Sequence, residues 1–192
     1  MTPAKPTPQR IRIIGGQWKR TPIAVADAAG LRPTPDRVRE TVFNWLAHLR
    51  PDFTALRGLD CFAGTGALGF ELASRGAGRV LLIERNPKLV AALRALQQKL
   101  HAQAVEILQG DALTLAPRLP AASFDVVFLD PPYDAQLLPP MLRAVHPLLA
   151  PGALVYAEDA APLTDANALG YTVLRADKAG AVCFHLLTPC TP

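Results

Sequence analysis

Asp130, Pro131, Pro132 and Tyr133 follow an almost unbroken apolar run, Phe124 to Leu129. Those four residues suit chemistry on the exocyclic amine of a nucleobase. Such an amine is a poor nucleophile, because its lone pair is delocalised into the ring. The Asp130 carboxylate and the Pro131 carbonyl can each accept one N–H. The nitrogen is then held near tetrahedral geometry, with its lone pair aimed at an electrophilic methyl group. Pro131 and Pro132 stiffen the backbone so that the carbonyl points outward. Tyr133 offers a face on which a base can stack. Alignment and well-placed acceptors supply most of the catalysis in such a transfer. A proline-rich strand exit with one capping acid explains the four residues alone, but not the glycine loop upstream.

That loop is Leu59-Asp60-Cys61-Phe62-Ala63-Gly64-Thr65-Gly66-Ala67-Leu68-Gly69. Gly64 and Gly66 let a backbone turn tightly and approach a ligand with no Cβ in the way. Read literally, it is the dinucleotide pattern G-x-G-x-x-G. Glu84 ends the next predicted strand, where an acid can accept both ribose hydroxyls. That position serves NAD and S-adenosylmethionine equally. Asp60 separates them: an acid before the loop repels a pyrophosphate and suits the ammonium of a methionine moiety. Asp111 follows the third predicted strand, where a carboxylate can accept an adenine amino group. Phe62, Ala63, Ala67, Leu68, Arg85, Ala112 and Asp130 complete the expected cofactor-lining set.

The elements that carry these residues alternate. Leu56–Phe62, Val80–Glu84, Val105–Leu108, Phe124–Asp130 and Ala153–Glu158 read as strands. Helices follow the glycine loop, Asn86-Pro87 and Leu137. Leu89, Leu93, Leu96 and Leu100 give the Asn86-Pro87 helix one apolar stripe. Tyr171–Leu174 and Val182–Leu187 read as two final strands around Lys178-Ala179-Gly180. The alternation predicts a doubly wound, mostly parallel sheet with an antiparallel strand at the end. Upstream, Ile11–Ile14 and Gln17–Val25 read as a hairpin around a Gly15-Gly16 turn. Thr34 reads as the N-cap of a helix that begins at Pro35 and ends before Pro51.

A length of 192 residues corresponds to about one domain. No run of ~18 apolar residues exists, so a spanning helix is not expected. Cys61, Cys183 and Cys190 lack the spacing of a zinc site or a disulfide framework. We therefore expect a reducing, cytoplasmic setting, with Cys61 and Cys183 buried. No metal is expected. Residues 1–50 hold nine basic and three acidic side chains, a net +6, which leaves −2 for the remainder of a chain of net +4. A basic segment beside a mildly acidic domain suggests an anionic partner for that segment, although a solvated surface explains it as well. Arg12, Lys19, Arg20 and Arg32 are candidates to grip phosphates. Trp18 is a candidate to stack on a base or to pack in the hairpin. Arg37 and Arg39 either face RNA or line the methionine pocket.

The glycine loop and DPPY together resemble the S-adenosylmethionine-dependent amino-methyltransferases of adenine N6 or guanine N2. The N-terminal half narrows this. Arg12–Lys19 (RIIGGQWK), Leu31–Thr34 (LRPT), Arg37–Thr41 (RVRET), Phe43–Leu46 (FNWL), the glycine loop and Ser74–Ala77 (SRGA) are similar to the bacterial RsmD family. The match covers about residues 11–187. It implies a Rossmann-like class I methyltransferase fold with seven strands. It also implies S-adenosylmethionine as cofactor, S-adenosylhomocysteine as product, and transfer to N2 of guanine 966 in 16S rRNA. The implied substrate is the assembled or assembling small subunit. Residues 1–10 are then a disordered tail, 11–50 a basic hairpin-and-helix extension, and 51–188 the methyltransferase domain of a monomer. Thr65 stands where serine is common, and Tyr133 where phenylalanine is common; Tyr133 blurs guanine against adenine. An adenine-N6 enzyme is the alternative, but little chain remains for a target-recognition domain. A NAD-dependent oxidoreductase gives DPPY no task, and a non-catalytic RNA binder leaves Asp60, Glu84 and Asp130 without one.

Overall fold

The structure, a computed structural model, describes residues 11–25, 34–132, 136–164 and 169–190. The expected tail at 1–10, and the expected roles of Arg32 and Tyr133, lie outside the described residues. Strands β1 (Ile11–Arg12) and β2 (Pro22–Ile23) make a small antiparallel ribbon, followed by helix α1 (Asp36–Leu49). The main sheet has strands β3 (Arg57–Asp60), β4 (Arg79–Glu84), β5 (Val105–Gln109), β6 (Phe124–Leu129), β7 (Leu149–Asp159), β8 (Tyr171–Ala179) and β9 (Val182–Pro189). Helices α2 (Ala67–Ser74), α3 (Pro87–Leu100), α4 (Ala112–Leu115) and α5 (Leu138–Val145) connect them. The spatial order is β5-β4-β3-β6-β7-β9-β8. Strands β3 to β7 pair in parallel, and β9 lies antiparallel between β7 and β8. This is the sheet that the sequence predicts.

Period-two alternation sorts the side chains onto two faces. Val80, Leu82, Val126 and Phe128 pack with α1, α2 and α3 through Val42, Phe43, Phe70 and Leu93. Leu81, Ile83, Val127 and Leu129 pack with α4 and α5 through Ala112, Met141, Leu142 and Val145. With both faces covered, the central strands read as nearly continuous apolar runs. The cap predicted at Asn86 is present: its side chain accepts the Lys88 N–H at 2.9 Å, with Pro87 at the first helical position. Cys61 and Cys183 are buried thiols, as expected.

Two local expectations are corrected. The turn between β1 and β2 is not a two-residue Gly15-Gly16 turn. Ile11 pairs with Ile23, so the ribbon is short and its loop runs from Ile13 to Thr21. The reason is docking onto α2. Ile14 and Gly15 N–H groups donate to Glu71 at 2.6 and 2.8 Å. Gln17 N–H donates to the Ser74 carbonyl at 2.8 Å, and Trp18 N–H to the Ser74 hydroxyl at 3.0 Å. Gly16, at φ +75°, passes so close that an added Cβ would lie 1.9 Å from the Ser74 carbonyl oxygen. Thr34, in turn, does not cap α1. Pro35 holds the cap position and has no side-chain acceptor to offer, while the Thr34 hydroxyl is engaged with Asp130 and Glu158.

Arg39 is the second anchor of this extension. Its side chain is fully buried. It donates to the carbonyls of Arg12 (2.8 Å) and Thr34 (3.3 Å) and to the Asp36 carboxylate (2.6 Å). It also lies 3.7 Å from the buried Glu71 carboxylate. Removing one member of a buried charge pair strands the other, at about 3–5 kcal/mol. Arg39→Ala should therefore lower the unfolding free energy by about that much in urea titration. A loss below ~1 kcal/mol, the range of an exposed ion pair, would show that Arg39 is not an anchor.

Candidate active site

The chain runs outward from β3 through β4 to β5, then returns to β6 beside β3. The carboxyl ends of β3 and β6 therefore flank the switch point of the sheet, where ligands bind in open α/β folds. Asp60 ends β3 and Asp130 follows β6. Glu84 ends β4, and Glu158 lies near the end of β7. Parallel pairing thus brings four acids from distant parts of the chain to one edge.

After Asp60 the backbone stays on the sheet for a few residues: Cys61 N–H donates to Phe128 and Ala63 N–H to Ile83. It then turns through Gly64 and Gly66, both at positive φ, into α2. An added Cβ at Gly66 would meet Phe70 and Leu93 at 2.6 Å. Glu84 fastens the loop, accepting the Gly64 N–H at 2.9 Å on one oxygen and the Asn86 N–H at 2.7 Å on the other. Asp60 is 1% exposed. Its Oδ2 accepts the Gly69 N–H at 3.2 Å, while Oδ1 is buried without a hydrogen-bond partner. Burial pushes this carboxyl up to about 7; the Phe62 and Gly69 N–H groups oppose the rise, and the Glu84 charge adds to it. A buried, unpartnered carboxylate oxygen beside a glycine loop fits a cationic group, as the ammonium of a methionine moiety would be.

Asp130 is held by a residue that sequence reasoning missed as a site residue. The Thr34 hydroxyl lies 3.1 Å from Asp130 Oδ2 and 3.3 Å from Glu158 Oε1, so one hydroxyl bridges two carboxylates. The Tyr156 hydroxyl donates to Glu158 Oε1 at 2.6 Å. Burial, then the neighbouring Glu158, push the Asp130 carboxyl well above the usual range, against the pull of the Thr34 hydroxyl. Pro131 is buried and Pro132 exposed. A cavity of about 330 Å³ opens beside them, lined also by Leu137, Pro139, Glu158 and Asp159. Thr34, Tyr156 and Glu158 carried one legible signal: Glu158 is an acid at the end of the strand beside DPPY. Thr34 stands 96 residues before Asp130, so no local pattern joins them.

The other expected residues divide. Phe62 is half-buried, and Ala63, Ala67, Leu68 and Ala112 are buried around the loops of β3 and β5; Arg85 is exposed beyond Glu84. Asp111 caps α4, accepting from the Thr114 N–H and hydroxyl on Oδ1. Lys19, Arg20 and Arg37 are exposed, and Arg12 is exposed while paired with Asp36 at 3.3 Å. Arg39 is corrected as an RNA contact: its side chain, on α1, is fully buried and cannot meet RNA. Trp18 is half-buried and packs against the core. Among the described residues no cluster of three or more His, Cys, Asp or Glu side chains is arranged to hold a metal ion. No helix among them is long and apolar enough to cross a membrane.

Comparison with known proteins fits this geometry. The family model described as conserved hypothetical protein 95 matches residues 11–188. Ribosomal RNA small subunit methyltransferase D of Escherichia coli is 38% identical over 183 residues, covering 92% of this chain and 89% of that protein. The chain belongs to the RsmD family. The solved structure of the Escherichia coli protein yhhF superposes with a TM-score of 0.81 at 36% identity, covering 95% of this chain and 99% of that one. The fold reaches beyond the RsmD family: a precorrin-6y C5,15-methyltransferase from Geobacter metallireducens superposes at 0.66 with 22% identity, over 87% and 93% of the two chains. The RsmD chain described here thus has the class I methyltransferase fold, as its sequence implied.

The raised Asp60 carboxyl fixes the sign of a pH effect. An acid with a folded value above its unfolded one binds more protons when folded, so its contribution is intact below 3.8 and lost as pH rises through about 7. Lowered acids such as Asp52 and Asp125 act below this window, and His185, lowered by burial, acts in the opposite sense within it. Asp130, also raised, acts in the same sense; the difference between wild type and Asp60→Asn reports Asp60 together with its smaller effect on Asp130. Without ligand, the variant should gain about 2–3 kcal/mol on wild type between pH 5 and pH 8 in urea unfolding, at ~1.4 kcal/mol per pKa unit. A gap that stays constant within ~0.5 kcal/mol would mean that Asp60 is not buried as a raised carboxyl.

Proposed function

We propose that the chain is an S-adenosylmethionine-dependent enzyme that methylates the exocyclic N2 of guanine 966 in 16S rRNA. The observation that carries this reading is the placement of Asp130 and Pro131. They follow the strand beside the glycine loop, across the sheet's switch point from Asp60. Family membership and the name of the Escherichia coli relative support a small-subunit rRNA substrate. The substrate is then the assembled or assembling small subunit, in the cytoplasm, met by a monomeric enzyme.

The residues divide the work. Asp60 takes the ammonium of the cofactor, Glu84 its ribose hydroxyls and Asp111 its adenine amino group, with the Gly64–Gly66 turn against the backbone. S-Adenosylmethionine supplies the methyl group: the amine nitrogen forms the new N–C bond as the C–S bond breaks, its electron pair left on sulfur. Asp130 and the Pro131 carbonyl accept the two N–H bonds of the amine, so the lone pair is aimed rather than delocalised. Asp130 then takes the proton that the methylated nitrogen sheds. Tyr133 stacks on the base. Lys19, Arg20 and Arg37 hold phosphates in a salt-dependent manner.

Two measurements test this reading. S-Adenosylmethionine and S-adenosylhomocysteine should raise the melting temperature by linkage, and NAD should not. Under single turnover on small subunits, activity should fall from wild type to Asp130→Asn to Asp130→Ala. Loss of the charge-assisted bond is worth roughly 10- to 150-fold. Cofactor affinity should change little. Stabilisation by NAD alone, or a near-wild-type rate for Asp130→Ala, would contradict the proposed chemistry.

A further inference from the structure

Strands β6 and β7 pair in parallel with Leu129 opposite Ala157, so the next pair in register is Asp130 and Glu158. Adjacent strands lie about 4.8 Å apart, and residues in register share a face. The two carboxylates therefore stand side by side, and the Thr34 hydroxyl spans them at 3.1 and 3.3 Å. Two neighbouring carboxyls are more than amine alignment by Asp130 and the Pro131 carbonyl requires. Glu158 is 5% exposed, and it borders the cavity beside Pro131 and Pro132. Tyr156 and Thr34 fix its position from behind.

The edge of guanine that carries the N2 amine also carries the N1–H, two donors side by side. Adenine presents its N6 amine beside N1, an acceptor. The carboxyl oxygens of Glu158 beside Asp130 offer acceptors that match the guanine pair of donors and oppose the adenine lone pair. We propose that Glu158 reads the N1–H of the target guanine, so that Asp130 and Glu158 together select guanine over purines that lack this proton. The proposal rests on the guanine-N2 reading above. It gives the N-terminal Thr34 a task as well, since its hydroxyl sets the spacing of the two acceptors.

The base analogue 2-aminopurine tests it, because it keeps the exocyclic amine at position 2 and replaces N1–H by a bare N1. Small subunits are reconstituted with guanosine or 2-aminopurine at the target position. Single-turnover methylation with labelled S-adenosylmethionine is then measured for wild type and Glu158→Gln. Wild type should prefer guanosine by at least ~10-fold, the value of one hydrogen bond to a charged group. Glu158→Gln should lose ~10- to 100-fold on guanosine and little on 2-aminopurine, since its amide can donate to N1. Its cofactor affinity should equal that of wild type. Equal losses on both bases would make Glu158 a support for Asp130 only, and would overturn the proposal. So would equal wild-type rates on the two bases, a result that needs no variant to fold. Wild-type transfer to adenine N6 with none to guanosine would instead remove the guanine reading itself.

Discussion

Asp60 and Glu158 are buried and Asp130 is half-buried at neighbouring strand ends, and this crowding works against the charged forms of Asp60 and Asp130. Parallel pairing creates this crowding, because every parallel strand delivers its last residue to the same edge. The protein manages the cost with few donors: the Phe62 and Gly69 N–H groups beside an unpartnered oxygen at Asp60, and one shared hydroxyl at Asp130. The raised carboxyls follow directly. A site built this way favours a cation on one side of the switch point and hydrogen-bond donors on the other. On the proposed reading, a sulfonium cofactor and an amine substrate supply that pairing.

The N-terminal extension belongs to the same arrangement. Glu71, buried in α2, accepts two N–H groups from the Ile13–Thr21 loop and pairs with Arg75 at 2.8 Å, with Arg39 3.7 Å away. Arg39 ties that loop's strand to α1 and to the Thr34 carbonyl. Thr34 then reaches Asp130 and Glu158 at the carboxyl edge of the sheet. The exposed Lys19 and Arg20 are thus linked to Asp130 by a short series of buried and half-buried polar contacts. Basic surface and site are fixed relative to each other by the fold.

Much of this was legible because it is local. A nearly continuous apolar strand followed by DPPY, an acid at the end of Val80–Glu84, and Asn86-Pro87 at a helix start each carry their own signal within a few residues. Arg39 and Thr34 were not legible for the opposite reason. An arginine in a basic segment reads as surface, and its burial depends on Glu71, 32 positions later, as does the docking of the hairpin loop. A threonine before a proline reads as a cap until two distant carboxylates compete for its hydroxyl. Gly15-Gly16 suggested a tight turn, whereas Gly16 is required for close approach to Ser74.

The identity of the methylated atom decides the functional reading most directly. Small subunits from cells that lack the enzyme would be incubated with the purified protein and methyl-labelled S-adenosylmethionine. The RNA would then be digested to nucleosides and separated. The label should appear in N2-methylguanosine, approaching one methyl group per subunit and mapping to a single position. Label in N6-methyladenosine, or none in RNA while the cofactor binds, would contradict it.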